Sequence, residues 1–147
     1  MRALYTILPS VILFFAVHTV SVAQSVNITE TFKESFNETV LKVHDAENEI
    51  EKRSILNDSF DKMILAIGRI ESLTTLDKTE HSQLISFKNE ITEKQNELNG
   101  LKGFRRIEGE DLDDFTDYSQ QYFEQAERTV TIGLTAALLI LLILILL

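Results

Sequence analysis

Leu56 to Leu98 reads LNDSFDKMILAIGRIESLTTLDKTEHSQLISFKNEITEKQNEL, and the spacing of its apolar residues decides the fold. Leu56, Met63, Ile70, Asp77, Leu84, Ile91 and Leu98 recur every seventh residue, and only Asp77 is polar. Phe60 and Ile67 fill the alternate position in the first half, which gives the 3.5-residue seam of helices that pack side by side. In the second half the same offset lands on Thr74, His81, Lys88 and Gln95. A seam that is polar on one side predicts a helical-bundle face rather than a homodimeric zipper.

Working outward, Ser72 to Thr79 is rich in poor helix formers, and Asp77 with Glu80 has the spacing of a capping box. A helix break is expected there, with a second helix from Thr79 to Asn99 folded back on the first. Gly100 and Gly103 stop that second helix, as C-cap glycines do. Upstream, Phe36, Val43 and Ile50 recur at sevens, with Phe32, Val40 and Ala46 interleaved. The first helix therefore extends from an N-cap at Thr29 to about Leu73, with a change of winding or a turn near Ser54. Between Ser25 and Thr129 there is no proline, and the first glycine is Gly68. Long helices are the consequence.

After Gly103, Leu112, Phe115, Tyr118 and Tyr122 recur at threes and fours behind an acidic run, which predicts a third helix from Asp111. The expected fold is all-α: a helical hairpin or small bundle with coiled-coil character, followed by a C-terminal hydrophobic membrane helix.

That last element is Val130 to Leu147, which holds eight Leu, four Ile and one Val and no charge. As one helix it spans about 27 Å, close to the hydrocarbon thickness of a bilayer. At roughly 0.3 to 0.6 kcal/mol for each Leu, Ile and Val near the bilayer centre, insertion is favoured by several kcal/mol. At the other end, Met1-Arg2, the apolar run Val11 to Val17 and the small residues Ser21-Val22-Ala23 compose a signal peptide cut after Ala23. The expected organisation is a signal over 1–23, a helical extracellular region over 24–109, an acidic juxtamembrane segment over 110–129 and the apolar stretch over 130–147.

The apolar stretch admits two readings, a permanent span or the removable tail of a glycolipid-anchor signal. No Lys or Arg follows it in this sequence, whereas spans commonly carry such residues on their cytosolic flank. Asp117, with Ser119 two places on and Gln120 to Thr129 as spacer, fits the attachment pattern of the second reading.

Composition narrows the chemistry. Of the 14 Lys and Arg only Arg2 lies outside Gln24 to Thr129, which leaves 13 cations against 23 acidic residues there, a net charge of −10. Such a surface repels nucleic acid. Without cysteine, thiol chemistry, iron–sulfur sites and structural disulfides are excluded. His44 and His81 remain after the signal, and neither has a second histidine at helical spacing or a nucleophile in a recognisable setting. The sequence thus reads as non-enzymatic, with no cofactor, metal or small-molecule substrate.

Three sequons, at Asn27, Asn37 and Asn57, accompany the signal and make the protein a candidate glycoprotein of the secretory pathway. The partners it points to are a membrane and other proteins, a second copy included, met through helical faces. The seam residues Phe60, Met63, Ile67, Ile70, Leu84, Ile91 and Leu98 carry that packing. A single-pass accessory subunit of a channel, transporter or receptor is the alternative, with Gly133, Ala136 and Ala137 allowing close helix approach.

Overall fold

The structure, a computed structural model, describes residues 25–125 and 130–147. The signal-peptide reading, over 1–23, lies outside them. Among the described residues the order is β1 (Ser25–Asn27), α1 (Ile28–Asp45), α2 (Glu49–Leu73), α3 (Lys78–Asn99), a 3-10 turn (Gly109–Asp111), α4 (Leu112–Gln125), β2 (Thr131–Gly133) and α5 (Leu134–Leu146). The fold is mostly helical, as the spacing predicts.

Cross-helix pairs give the topology. Asn57 meets Asn99, Asp61 meets Gln95 and Glu71 meets Lys88, so α3 runs back along α2. Thr39 meets Ser59 and Phe36 meets Phe60, so α2 runs back along α1. His44 meets Asp117 and Phe36 meets Phe123, so α4 also opposes α1. The result is an antiparallel four-helix arrangement in which successive helices alternate in direction. Phe36 is its hinge of packing, with ring centroids 5.6 Å from Phe60 and 5.1 Å from Phe123. Phe87 joins from α3, 5.3 Å from Phe32 and 6.2 Å from Phe123. Such offset and edge-on pairs each add roughly 0.5 to 1.5 kcal/mol beyond area burial.

The expected break at Ser72 to Thr79 is present. Asp77 caps α3 through Thr79 and Glu80 while Glu80 Oε2 accepts from the Asp77 N–H at 2.8 Å, a complete capping box. Gly100 ends α3 at φ 69°. A Cβ there would lie 2.7 Å from the Arg106 backbone nitrogen, so glycine is required twice over, by torsion and by space.

Besides the N-cap of α1, which is Asn27 rather than Thr29, two expectations need correction. The long first helix is interrupted, and the interruption lies at residues 46–48 rather than near Ser54. Asn48 takes the extended conformation and its side chain accepts from Glu51 N–H at 3.0 Å, which restarts the chain as α2. The seven-residue column of α1 therefore stops at Val43, and Ile50 is 78% exposed.

The second correction concerns α3. Its buried residues are Leu84, Phe87, Ile91, Lys94 and Leu98, spaced three-four-three-four, whereas α2 buries Leu56, Phe60, Met63, Ile67 and Ile70, spaced four-three-four-three. The alternate positions of α3 are thus Phe87 and Lys94, not Lys88 and Gln95. The phase reverses because α3 must face the aromatic residues of α4 as well as α2.

Burying Lys94 requires partners. Its ammonium donates to Glu97 Oε2 at 2.7 Å and Tyr118 Oη at 3.0 Å, and sits 4.3 and 4.8 Å from the Tyr118 and Tyr122 ring centroids. Burial pulls its pKa down, but the bonds to Glu97 and Tyr118 outweigh it, and the net shift is upward. A lysine whose folded pKa lies above its unfolded one adds stability that is complete below the unfolded value, about 10.4, and is lost as pH rises through the folded value. Thermal unfolding followed from pH 8 to 11 is expected to show this alkaline loss in the parent and a flatter limb in Lys94→Met.

Between α1 and α2, Thr39 and Ser59 bury their hydroxyls against each other at 2.8 Å. Thr39→Val alone strands the Ser59 hydroxyl and is expected to lower stability by about 1 to 3 kcal/mol, while Thr39→Val with Ser59→Ala restores most of it. Urea midpoints of the three proteins check this.

Candidate functional site: the docked apolar tail

The apolar stretch does not form one helix. Thr131–Gly133 is extended and pairs antiparallel with Ser25–Asn27, in the register Ser25 to Gly133, Val26 to Ile132 and Asn27 to Thr131. Thr131 and Gly133 have low helix propensity, and the ribbon gives their backbone groups partners. The helix after the ribbon, α5, has 13 residues. No helix among the described residues is long and apolar enough to cross a membrane. At 1.5 Å per residue α5 covers about 20 Å, short of the roughly 30 Å hydrocarbon layer.

Side chains of α1 and α3 secure the ribbon. Val130 N–H donates to Thr29 Oγ1 at 3.3 Å, and Ile28 N–H donates to the Val130 carbonyl at 3.0 Å. Thr131 N–H donates to Gln83 Oε1 at 3.3 Å, and Gly133 N–H to Glu80 Oε1 at 2.7 Å. Glu80 therefore has two tasks, one carboxylate oxygen closing the cap of α3 and the other holding the tail. Its cap role is visible in the sequence spacing, but no local pattern signals a contact 53 residues away.

Beyond the ribbon, α5 lies on α2 and α1. Ala136, Ala137, Ile140 and Ile143 face inward and are at most 7% exposed. The small Ala136 and Ala137 let the helix approach closely. The opposite face is also apolar and, among the described residues, has no cover: Leu138 is 55% exposed, Leu142 50%, Ile145 71% and Leu146 74%. Where α5 crosses the α1–α2 junction it leaves a groove of about 490 Å³. Ile55, Leu141, Leu144 and Ile145 supply its apolar lining, and Glu34, Glu38, Lys42, Asp58 and Lys62 its charged lining. Acid and base are mixed there, so no single ligand charge is selected.

No family model, curated protein or solved structure matches this chain.

The seven seam residues are brought together as core, each at most 1% exposed. Asn27 is exposed at the start of α1, where its Oδ1 accepts from Thr29 N–H at 3.0 Å. Asn37 is half-buried on α1, and its Oδ1 accepts from Gln120 Nε2 of α4. Asn57 is half-buried in the α2–α3 contact. The three are not one site.

Asp117 is half-buried in the middle of α4, 2.8 Å from His44 Nε2. Nearby, Lys52 Nζ donates to both Asp113 carboxylate oxygens at 2.7 and 2.6 Å. These exposed or half-buried ion pairs tie α4 to the α1–α2 corner, and pairs of this kind contribute modestly. At the same end Arg53 donates to the Leu98 carbonyl at 2.6 Å and the Ile107 carbonyl at 2.5 Å, clamping the loop after α3. Burial, then the Arg106 charge, lowers its pKa. Among the described residues no group of three His, Cys, Asp or Glu side chains is placed to hold a metal ion.

Proposed function

We propose that this chain is a non-enzymatic, N-glycosylated helical protein of the outer cell surface, tethered to a membrane by its apolar C-terminal stretch and acting through contact with other proteins. The observation that carries the reading is the uncovered face of α5. A helix apolar around its whole circumference is stable only when every face is out of water, and the bundle covers one side. In a bilayer, 130–147 becomes one helix of about 27 Å once the ribbon opens, enough to span with little mismatch.

The geometry favours an intact tether over a glycolipid joined at Asp117. Tyr118, Tyr122 and Phe123 lie beyond Asp117, and they pack on Lys94, Phe36 and Phe87. A cut at Asp117 removes Phe123 from the core and the two tyrosine rings from around Lys94. The alternative of an accessory subunit shares the intact tether and differs in its partner.

Cells expressing the full chain are the test. The protein is expected in the membrane pellet after an alkaline carbonate wash, resistant to phosphatidylinositol-specific phospholipase, with its C-terminus intact by mass spectrometry. Release by the phospholipase replaces the intact tether with the glycolipid. Recovery of the chain in the cytosol with Met1 retained overturns the reading.

A further inference from the structure

All three sequons lie on helices or at a helix start, and in each the hydroxyl that defines the sequon is buried. Thr29, Thr39 and Ser59 are 7, 7 and 8% exposed, three of only six buried polar or charged residues among those described. Each is also engaged. Thr29 Oγ1 accepts from Val130 N–H, and Thr39 and Ser59, from two different sequons, bond each other. A transferase that must contact both the asparagine and this hydroxyl finds Thr39 and Ser59 closed once α1 lies on α2, and Thr29 closed once the tail docks.

The asparagines differ among themselves. Transfer from a lipid-linked oligosaccharide pyrophosphate forms a bond between Asn Nδ2 and the anomeric carbon, breaks the anomeric carbon–phosphate oxygen bond and removes one Nδ2 proton. Pyrophosphate-lipid leaves. Oδ1 is untouched. Asn27 uses Oδ1 to cap α1, and Asn37 uses Oδ1 to accept from Gln120, so both bonds survive a glycan. Asn57 uses its nitrogen. Nδ2 donates to the Arg53 carbonyl at 3.0 Å and to Asn99 Oδ1 at 3.3 Å, while Asn99 Nδ2 returns a bond to Asn57 Oδ1 at 2.6 Å. A sugar on Nδ2 takes one of these protons and occupies the space between α2 and α3.

We infer that glycan transfer and helix pairing exclude each other in time, and that the folded protein carries glycan at Asn27 and Asn37 while Asn57 stays bare. This rests on the secretory address proposed above. The test uses the full chain and its Ile67→Asp variant, which cannot close the α2 seam, expressed in secretory cells. Peptide N-glycosidase in heavy-oxygen water marks each formerly glycosylated asparagine for mass spectrometry. The expected result is label at Asn27 and Asn37 of the cell-surface protein, none at Asn57, and label at Asn57 in the retained variant. Equal label at Asn57 and Asn27 in the surface protein overturns the inference. So does an unlabelled Asn57 in the variant, because the cause is then local sequence and not the fold. Absence of label at all three sites in both proteins overturns the secretory address itself.

Discussion

Ile67→Asp combined with Ile70→Asp is expected to abolish the cooperative fold. Both side chains are fully buried on α2, one on each alternate position of the seam shared with the other helices. Among the described residues a carboxylate placed there has no cation within the core to pair with except Lys94, which Glu97 already engages. Desolvating one such ion costs several kcal/mol, and two approach or exceed the roughly 5 to 15 kcal/mol that stabilises a domain of this size. The far-ultraviolet circular dichroism of the double variant should lose its helical minima and its thermal transition. Retention of both, with the same mass in solution as the parent, would show that this seam is not the core.

The second large effect is expected at the tail and leaves the bundle intact. Leu138, Leu142 and Ile145 are half or more exposed, so their replacement by Asp leaves the buried Ala136, Ala137, Ile140 and Ile143 in place. Near the centre of a bilayer each Asp opposes insertion by about 2.5 to 3.5 kcal/mol, in addition to the lost contribution of the Leu or Ile. The triple variant should keep the parent's circular dichroism and move from the membrane pellet to the supernatant. Continued retention in the pellet would mean that something other than the tail holds this protein to the membrane.

The sequence made the α2–α3 hairpin legible because its seven-residue column crosses the turn without losing register, with Asp77 marking the turn itself. It did not make the packing of α3 legible. The column fixes Leu84, Ile91 and Leu98, but whether the alternate position lies three or four residues on depends on which helix is opposed, and α4 is distant in sequence. Phe87 is apolar at the correct offset and was the available signal. Lys94 was hidden, because a lysine reads as solvated until Glu97, Tyr118 and Tyr122 are found around it. The restart at Asn48 was written in Asn48 and Glu51, a cap spacing obscured by the apolar Ile50 continuing the column.

The docking of the tail was the least legible feature, for a physical reason. Amphipathic periodicity tells which side of a helix avoids water, and 134–146 has no polar side to supply the contrast. Its preference for protein or lipid is set by the alternatives on offer, of which the sequence pattern is silent. The bonds from Thr29, Glu80 and Gln83 to 130–133 join residues about 50 to 100 positions apart and arise only in the assembled bundle.

The pairing of Ser25–Asn27 with Thr131–Gly133 closes a loop of about a hundred residues with only three residue pairs. Closing so long a loop is entropically unfavourable until α1 to α4 have already brought its ends together. In native-state hydrogen exchange the amides of 131–133 should therefore trade deuterium well before those of the Phe36 and Ile67 layers, by an opening that leaves the helices closed. Such exchange would mark a tear line at the base of the chain, where the greasy end is expected to peel away and re-seal at a fraction of the free energy needed to melt the rest.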